Sequence, residues 1–396
     1  MKKITGLTRS NSLSRALENQ IAKVFLYFLF AAKKLEKNIS RPSGNYNALI
    51  CKWCCMGDAI LSLYAIREFK IRNPNVTLDI LVSSRIAEVY QNSDLINHVY
   101  VLPITGHGLL LELFSLKLWI RLFSFVSKLR KKKYAEFIDL ELYRSTGPVL
   151  KWLLKIPYSR GFIVEGALNK NHNFETSRPR NMMEWQCFYK IFELEVPTQN
   201  PLPLFPLPQK IQDEKNRTIA SSSQIQTHKI GIVFGSSFNW PQKKWPAEYF
   251  AETISILSEK NFEFVLYGTA SEKNESRLIL SSAKGNINDT TGCFNYSELK
   301  NSISECDLVF GNDTGTLHLA SACGVKTFTL FGPTDPEKWN GLTSTPLYLK
   351  DLACRPCYYL GSMPACDHFS CLRKLTPLKV ATEIEAFFRQ KTLNYF

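Results

Sequence analysis

Nowhere does this chain offer the ~20 consecutive apolar residues that a membrane-crossing helix needs. Its nearest approach is IAKVFLYFLFAA, from Ile21 to Ala32, which Lys23 interrupts and basic residues flank on both sides. That run predicts an interfacial helix, or one docked on the protein's own surface. The signatures G-x-S-x-G, H-E-x-x-H, G-x-x-x-x-G-K-[ST] and G-x-G-x-x-G are also missing, which weighs against hydrolase, zincin, P-loop and dehydrogenase chemistry. Acidic residues are short: 35 Asp and Glu stand against 49 Lys and Arg, a formal charge of +14. Such an excess favours a polyanionic partner, the alternative being a basic surface kept for solubility. Nucleic acid is not expected, because the basic residues lack interleaved aromatics of the RNA-binding kind. The odd count of 11 Cys argues against a full disulfide framework and for a reducing cytoplasm.

What is present is globular. The chain has 396 residues, 45% hydrophobic and 21% charged, enough for two cored domains. After a basic extension ending at Arg41-Pro42-Ser43-Gly44, short apolar runs at Ala48–Cys51, Leu78–Val82, Val99–Leu102 and Phe137–Leu140 predict buried strands. Gly57-Asp58 reads as a turn, Ala59–Lys70 as a helix stopped by Asn73-Pro74, and Leu109–Lys133 as one or two helices ending in a basic cluster. Five prolines between Pro197 and Pro208 predict a stiff connector. The alternation then restarts: strands at Lys229–Gly235, Phe262–Tyr267, Asp307–Phe310 and Thr327–Phe331, helices at Pro246–Lys260, Tyr296–Glu305, Thr316–Cys323 and from Thr376 to about Arg389. These breaks divide the chain into an extension (1–44), two α/β domains (45–208 and 209–375) and a closing helix (376–396). Strand–helix–strand alternation predicts doubly wound parallel sheets.

The most informative stretch is Gly311-Asn312-Asp313-Thr314-Gly315-Thr316-Leu317-His318, where a strand gives way to a helix. Open α/β sheets bind ligands at the carboxyl ends of strands, and a helix start offers N–H groups and partial positive charge to a diphosphate. Gly315 permits close backbone approach, Thr314 caps or donates to phosphate, and His318 lies one turn in. The plainer alternative is a capped helix carrying a stray histidine. Gly235-Ser236-Ser237 is a second small-residue turn able to present N–H groups, and Lys243 beyond it is either a counter-charge for a leaving diphosphate or a solvated lysine. Glu272, after the next strand, fits a ribose hydroxyl or a helix-start carboxylate equally well. Asp58, following Gly57 at a strand end, fits a general base that deprotonates an acceptor hydroxyl or an N-cap. Cys354, Cys357, Cys366 and Cys371 have a spacing that fits a structural zinc site or a loop of unligated thiols.

In order and spacing, ALICKWCCMGDAILSLYAIREFK, GSSFNWPQKKWPAEYFAE, GNDTGTLHLASACG with FGPTDP, and CRPCYYL with CLRKLTP resemble glycosyltransferase family 9, best known for lipopolysaccharide heptosyltransferases. The resemblance spans roughly residues 46 to 390. It implies a GT-B architecture, two Rossmann-like domains facing a cleft, with acceptor on the first, donor on the second, and the last helix crossing back to the first. It implies an inverting, metal-independent transfer with no cofactor: a sugar, heptose from ADP-heptose foremost, passes from a nucleotide-sugar donor to a lipid-linked or lipopolysaccharide-type acceptor. The alternatives are another sugar, such as a hexose or N-acetylhexosamine, or a non-catalytic nucleotide-sugar binder. Asp58 falls on the family's base. Ser236, Ser237, Lys243, Glu272, Asp313, Thr314, Gly315 and His318 fall on its donor side, and Gly57 and Arg144 on its acceptor side. The chain departs from the family at Asp139-Leu140-Glu141-Leu142, where heptosyltransferases often carry D-x-Q-G. The expected location is cytoplasmic, peripheral on the anionic inner face of the cytoplasmic membrane.

Overall fold

The computed structural model describes residues 39–53, 55–103, 116–141, 146–163, 172–179, 181–206, 227–236, 240–358, 363 and 366–393. The expectations for residues 1–38, Arg144 and Ser237 lie outside these. The chain divides into two compact units, one comprising Met1–Cys54, Ala65–Pro179 and Trp185–Val196, the other Cys55–Tyr64, Arg180–Glu184 and Pro197–Phe396.

In the first unit the strands are β1 (Tyr46–Lys52), β2 (Val76–Val82), β3 (His98–Val101), β4 (Glu136–Asp139), β5 (Tyr158–Phe162) and β6 (Phe174–Thr176). They form one sheet in the order β3-β2-β1-β4-β5-β6, parallel throughout. In the second unit β7 (His228–Val233), β8 (Phe262–Tyr267), β9 (Asn286–Asp289), β10 (Leu308–Asn312), β11 (Lys326–Leu330) and β12 (Ser344–Leu347) follow the same plan, β12-β11-β10-β7-β8-β9, again all parallel. Each order is the doubly wound one, with its switch point where the winding reverses, β1/β4 and β7/β10. Strands buried on both faces read as unbroken apolar runs, which is why β1, β2 and β8 are plain in the sequence.

The helices used below are α1 (Met56–Arg72), α2 (Leu116–Arg130), α3 (Thr146–Leu154), α4 (Ala247–Leu257), α5 (Gly315–Ala322) and α6 (Pro377–Leu393). Gly57-Asp58, expected as a turn, is instead the first turn of α1. The proline-rich stretch, expected as a connector, is fastened to the second unit where it is described: Asn200 Nδ2 donates to Leu342 O at 3.0 Å and Phe205 N to Ala322 O at 2.9 Å. Helix α6, for which the family resemblance implies a crossing to the first half, buries Val380, Ala381, Ile384 and Phe388 in the second unit's core. Among the described residues no helix is long and apolar enough to cross a membrane.

The first unit's switch point is filled by its own charges. Lys52, at the end of β1, sits 3.4 Å from Glu141, and both side chains are only 1% exposed. Glu141 also accepts the Trp53 amide at 2.6 Å, while its own amide donates to Asp139 at 3.0 Å. Asp139 stands 3.6 Å from His172 Nε2. Burial pushes Asp139 up to about 8, against the Glu141 N–H and with the Glu141 charge; burial, helped by Lys151, pushes His172 down to about 3. Between its unfolded pKa near 4 and about 8, Asp139 binds its proton more tightly folded, so its stabilisation is full in acid and fades as pH rises through 8. That of His172 is full above about 6.5 and fades as pH falls towards 3. Thermal midpoints are expected to fall from about pH 6.5 to pH 8 and then to level off, and Asp139→Asn is expected to flatten that fall. An equally steep fall in the variant would assign it to other groups.

Candidate active site

The second unit's switch point gathers most of the residues singled out in the sequence. Strand β10 ends at Asn312, which is fully buried and acts as a bracket. Its Nδ2 donates to Phe234 O at 2.6 Å and Gly235 O at 3.2 Å beyond β7, and its Oδ1 accepts the Trp245 amide at 2.9 Å. One side chain therefore fixes the spacing of three loops. The sequence motif gives this residue no role of its own; an amide side chain between a strand end and an acidic residue is the signal it carries.

Asp313 follows, 7% exposed. Its Oδ2 accepts from Lys243 Nζ at 2.8 Å and from Thr334 Oγ1 at 2.8 Å. Burial works against this carboxylate, but Lys243, with smaller help from His318 and Thr334, holds it below its ordinary value. Lys243 is thus neither solvated nor uncommitted: it is anchored by Asp313, and its ammonium lies 5.2 Å from the Tyr358 ring centre. Trp240 and Trp339 meet the same ring edge-on at 5.6 and 6.1 Å.

His318, on the first turn of α5, is buried, and burial lowers its pKa although the Asp313 carboxylate opposes this. An imidazole kept neutral has one N–H and one bare nitrogen to offer. Among the described residues His318 Nδ1 and Thr314 Oγ1 are buried polar atoms without a hydrogen-bond partner. Buried polar groups are ordinarily satisfied, so these two stand out as open hydrogen-bonding capacity. Both lie at the start of a helix whose first N–H groups have no intrahelical acceptor.

The glycines here are spacers. A Cβ on Gly57 would lie 2.6 Å from the His318 ring, and one on Gly315 would lie 2.8 Å from Met56 and 3.0 Å from the Gly57 nitrogen. The first turns of α1 and α5, both in the second unit, therefore meet backbone against side chain. Asp58, 8% exposed, lies in that first turn of α1, next to the residue touching His318.

Glu272 shows the helix-start role. It closes a capping box with Thr269, accepts Thr269 N at 2.8 Å and Thr269 Oγ1 at 2.9 Å on one oxygen, and accepts Ser236 N at 3.0 Å on the other. This also corrects the expectation for Ser236, whose amide is taken by Glu272 and is not presented to an anion.

The CRPC segment contributes its arginine and backbone to the loops of the second unit. Arg355 donates to Gly332 O at 3.0 Å, Thr334 O at 3.0 Å and Leu349 O at 3.2 Å. The Cys357 and Tyr358 amides donate to Pro333 O at 2.9 and 3.0 Å. This strap holds the Gly332–Thr334 loop so that Thr334 reaches Asp313. Cys354, Cys357, Cys366 and Cys371 are free thiols. Burial raises the Cys357 and Cys371 thiols, and their neighbouring thiols raise them further. Among the described residues, however, no group of three or more His, Cys, Asp or Glu side chains is disposed to hold a metal ion, so the zinc expectation finds no ligand set.

Two doubly wound units of identical strand order match the fold of the solved E. coli ADP-heptose lipopolysaccharide heptosyltransferase II, at a TM-score of 0.66 and 18% identity, over 87% of this chain and 99% of that one. The architecture is GT-B. Residues 122–359 match the model of glycosyltransferase family 9 (heptosyltransferase), and the chain belongs to that family. It is similar to lipooligosaccharide heptosyltransferase 2 of Campylobacter jejuni serotype O:6, 24% identical over 83% of this chain and 95% of the relative. It is likewise 24% identical to lipopolysaccharide heptosyltransferase 2 of Escherichia coli K12, over 85% and 97%.

Proposed function

We propose that this enzyme moves a heptose from ADP-heptose onto the core of a lipopolysaccharide or related lipid-borne glycan, with inversion and without a metal ion, at the cytoplasmic face of the membrane. The observation that carries the reading is the Lys243–Asp313–Thr334 cluster beside the unsatisfied Thr314 and His318 atoms at the start of α5. The sugar and the acceptor class are those in the names of the heptosyltransferase relatives.

In the proposed reaction the acceptor oxygen attacks the anomeric carbon as Asp58 takes its proton. The bond from that carbon to the diphosphate oxygen breaks, and the electron pair leaves with ADP. Lys243, Thr314 and the N–H groups at Gly315 stabilise the departing charge from fixed positions, where preorganised donors act most strongly. That positive charge is why the proposal needs no metal. Asp313 holds the lysine rather than the sugar, and His318 offers its open nitrogen to the donor. Glu272 sets the β7 and β8 loops and keeps lone-pair capacity for a ribose hydroxyl.

The test is incubation with a nucleotide-sugar panel and a heptose-deficient lipopolysaccharide acceptor, following released nucleotide. ADP released from ADP-heptose only when acceptor is present is the expected result. Release from a hexose donor alone would replace the sugar, and no release from any donor that binds would overturn the transfer.

A further inference from the structure

We infer that the outer face of α2 is a docking surface for an anionic lipid bilayer. The inference rests on, and gives a location to, the membrane-peripheral part of the function proposed above.

Helix α2 has two faces. Its inner face is built into the first unit: Leu129 is buried in the core cluster, with Phe125 and Val126 packed against it, and Arg130 Nε donates to Leu153 O of α3 at 2.7 Å. The outer face leaves Ile120 59% and Phe123 70% exposed. These two are three residues apart and so share a side of the helix. Trp152, on the neighbouring α3, is 44% exposed.

Charge selects the occupant. Over residues 116–133 the chain carries Lys117, Arg121, Lys128 and Arg130 and then Lys131-Lys132-Lys133, with no acid at all. Lys117, Arg121, Lys128 and Lys131 are exposed. Bulky apolar side chains on a rigid helix, bracketed by lysine and arginine, suit the boundary between anionic headgroups and acyl chains. The chain's own residues 1–38 are the competing occupant. They bring Lys2, Lys3, Arg9, Arg15, Lys23, Lys33, Lys34 and Lys37 to a face that is already basic, so like charges oppose that pairing.

The experiment is co-sedimentation of the full chain with phosphatidylglycerol-rich or pure phosphatidylcholine vesicles, for the wild type, Ile120→Glu/Phe123→Glu and Lys117→Gln/Arg121→Gln. Wild type is expected to pellet with the anionic vesicles and to be released by salt. The apolar pair change is expected to weaken binding by about tenfold or more. Each cation removed is expected to weaken it by about fivefold. Both variants should keep the wild-type thermal midpoint, because all four positions are exposed. If wild type binds and the variants bind equally well, the face is elsewhere and the inference is overturned while the peripheral reading stands. Equal binding to phosphatidylcholine overturns the charge argument and the inference with it. A fallen thermal midpoint with unchanged vesicle binding assigns the face to residues 1–38. If wild type itself does not pellet, the peripheral reading fails.

Discussion

Asp58→Asn is expected to lower kcat by roughly 10²–10⁴-fold, the range that general-base catalysis contributes, while ADP affinity and thermal midpoint stay near wild type. The choice of Asn separates the two readings of this residue. Asp58 lies in the first turn of a 17-residue helix, where a carboxylate also serves the exposed N–H groups and the helix dipole. As the third residue of that helix Asp58 is past the N-cap position, so its local role is that of a first-turn carboxylate; Asn keeps its size and a hydrogen-bond acceptor but cannot hold a proton taken from an acceptor hydroxyl. A pure helix-start role would leave turnover intact in Asp58→Asn and would show in both Asp58→Asn and Asp58→Ala as a loss of about 0.3–1 kcal/mol of stability. Calorimetric titration with ADP alongside turnover on an acceptor distinguishes these outcomes. Full turnover in the Asn variant would remove Asp58 from the chemistry.

Lys243→Met is expected to act on both rate and stability. Its ammonium faces Asp313 at 2.8 Å, with side chains 16% and 7% exposed. Removing it leaves a buried carboxylate supported by Thr334 but without its main counter-charge. An abandoned buried partner costs about 1–3 kcal/mol; the partial exposure of the lysine argues for the lower part of that range. Loss of a donor aimed at developing charge costs about 10²–10³ in kcat. The double variant Lys243→Met/Asp313→Asn separates the two effects. Neutralising the stranded acid should restore most of the thermal midpoint, whereas turnover should stay low. Recovered turnover in the double variant would make the lysine a structural partner of Asp313 and nothing more.

Much of this arrangement was legible in the chain because parallel strands with both faces covered advertise themselves. Phe262–Tyr267 was predicted with the same bounds that β8 has. The strands missed were those that break the apolar pattern. β5 carries Arg160, fully buried, donating to Glu136 at 2.6 Å across the sheet and paired with Glu193 at 3.2 Å, and partners so distant in sequence leave no local strand signal. β9 is Asn-Ile-Asn-Asp and β12 is Ser-Thr-Pro-Leu, both at sheet edges, where polar residues and proline are tolerated.

Within the site, residue types pointed to the right neighbourhood but not to the pairings. Gly57 signalled a turn, yet it sits inside a helix because the His318 ring leaves no room for a side chain. Cys354 and Cys357 drew attention to a metal, whereas Arg355 between them does the fastening. Lys243 read as an independent cation because Asp313, its anchor, lies seventy positions away. Long-range pairing of that kind leaves no local trace in composition or period.

The two sheets share one wiring diagram, and their mouths have parted ways. In the second, the place where the winding reverses keeps two polar atoms unsatisfied. In the first, the Lys52–Glu141 ion pair occupies the equivalent place, with Trp53 Nε1 and His172 Nδ1 beside it also lacking a hydrogen-bond partner. For a diphosphate to enter the first mouth it would have to part a buried ion pair, a cost that the second mouth does not impose, so the proposed nucleotide site falls to the second sheet.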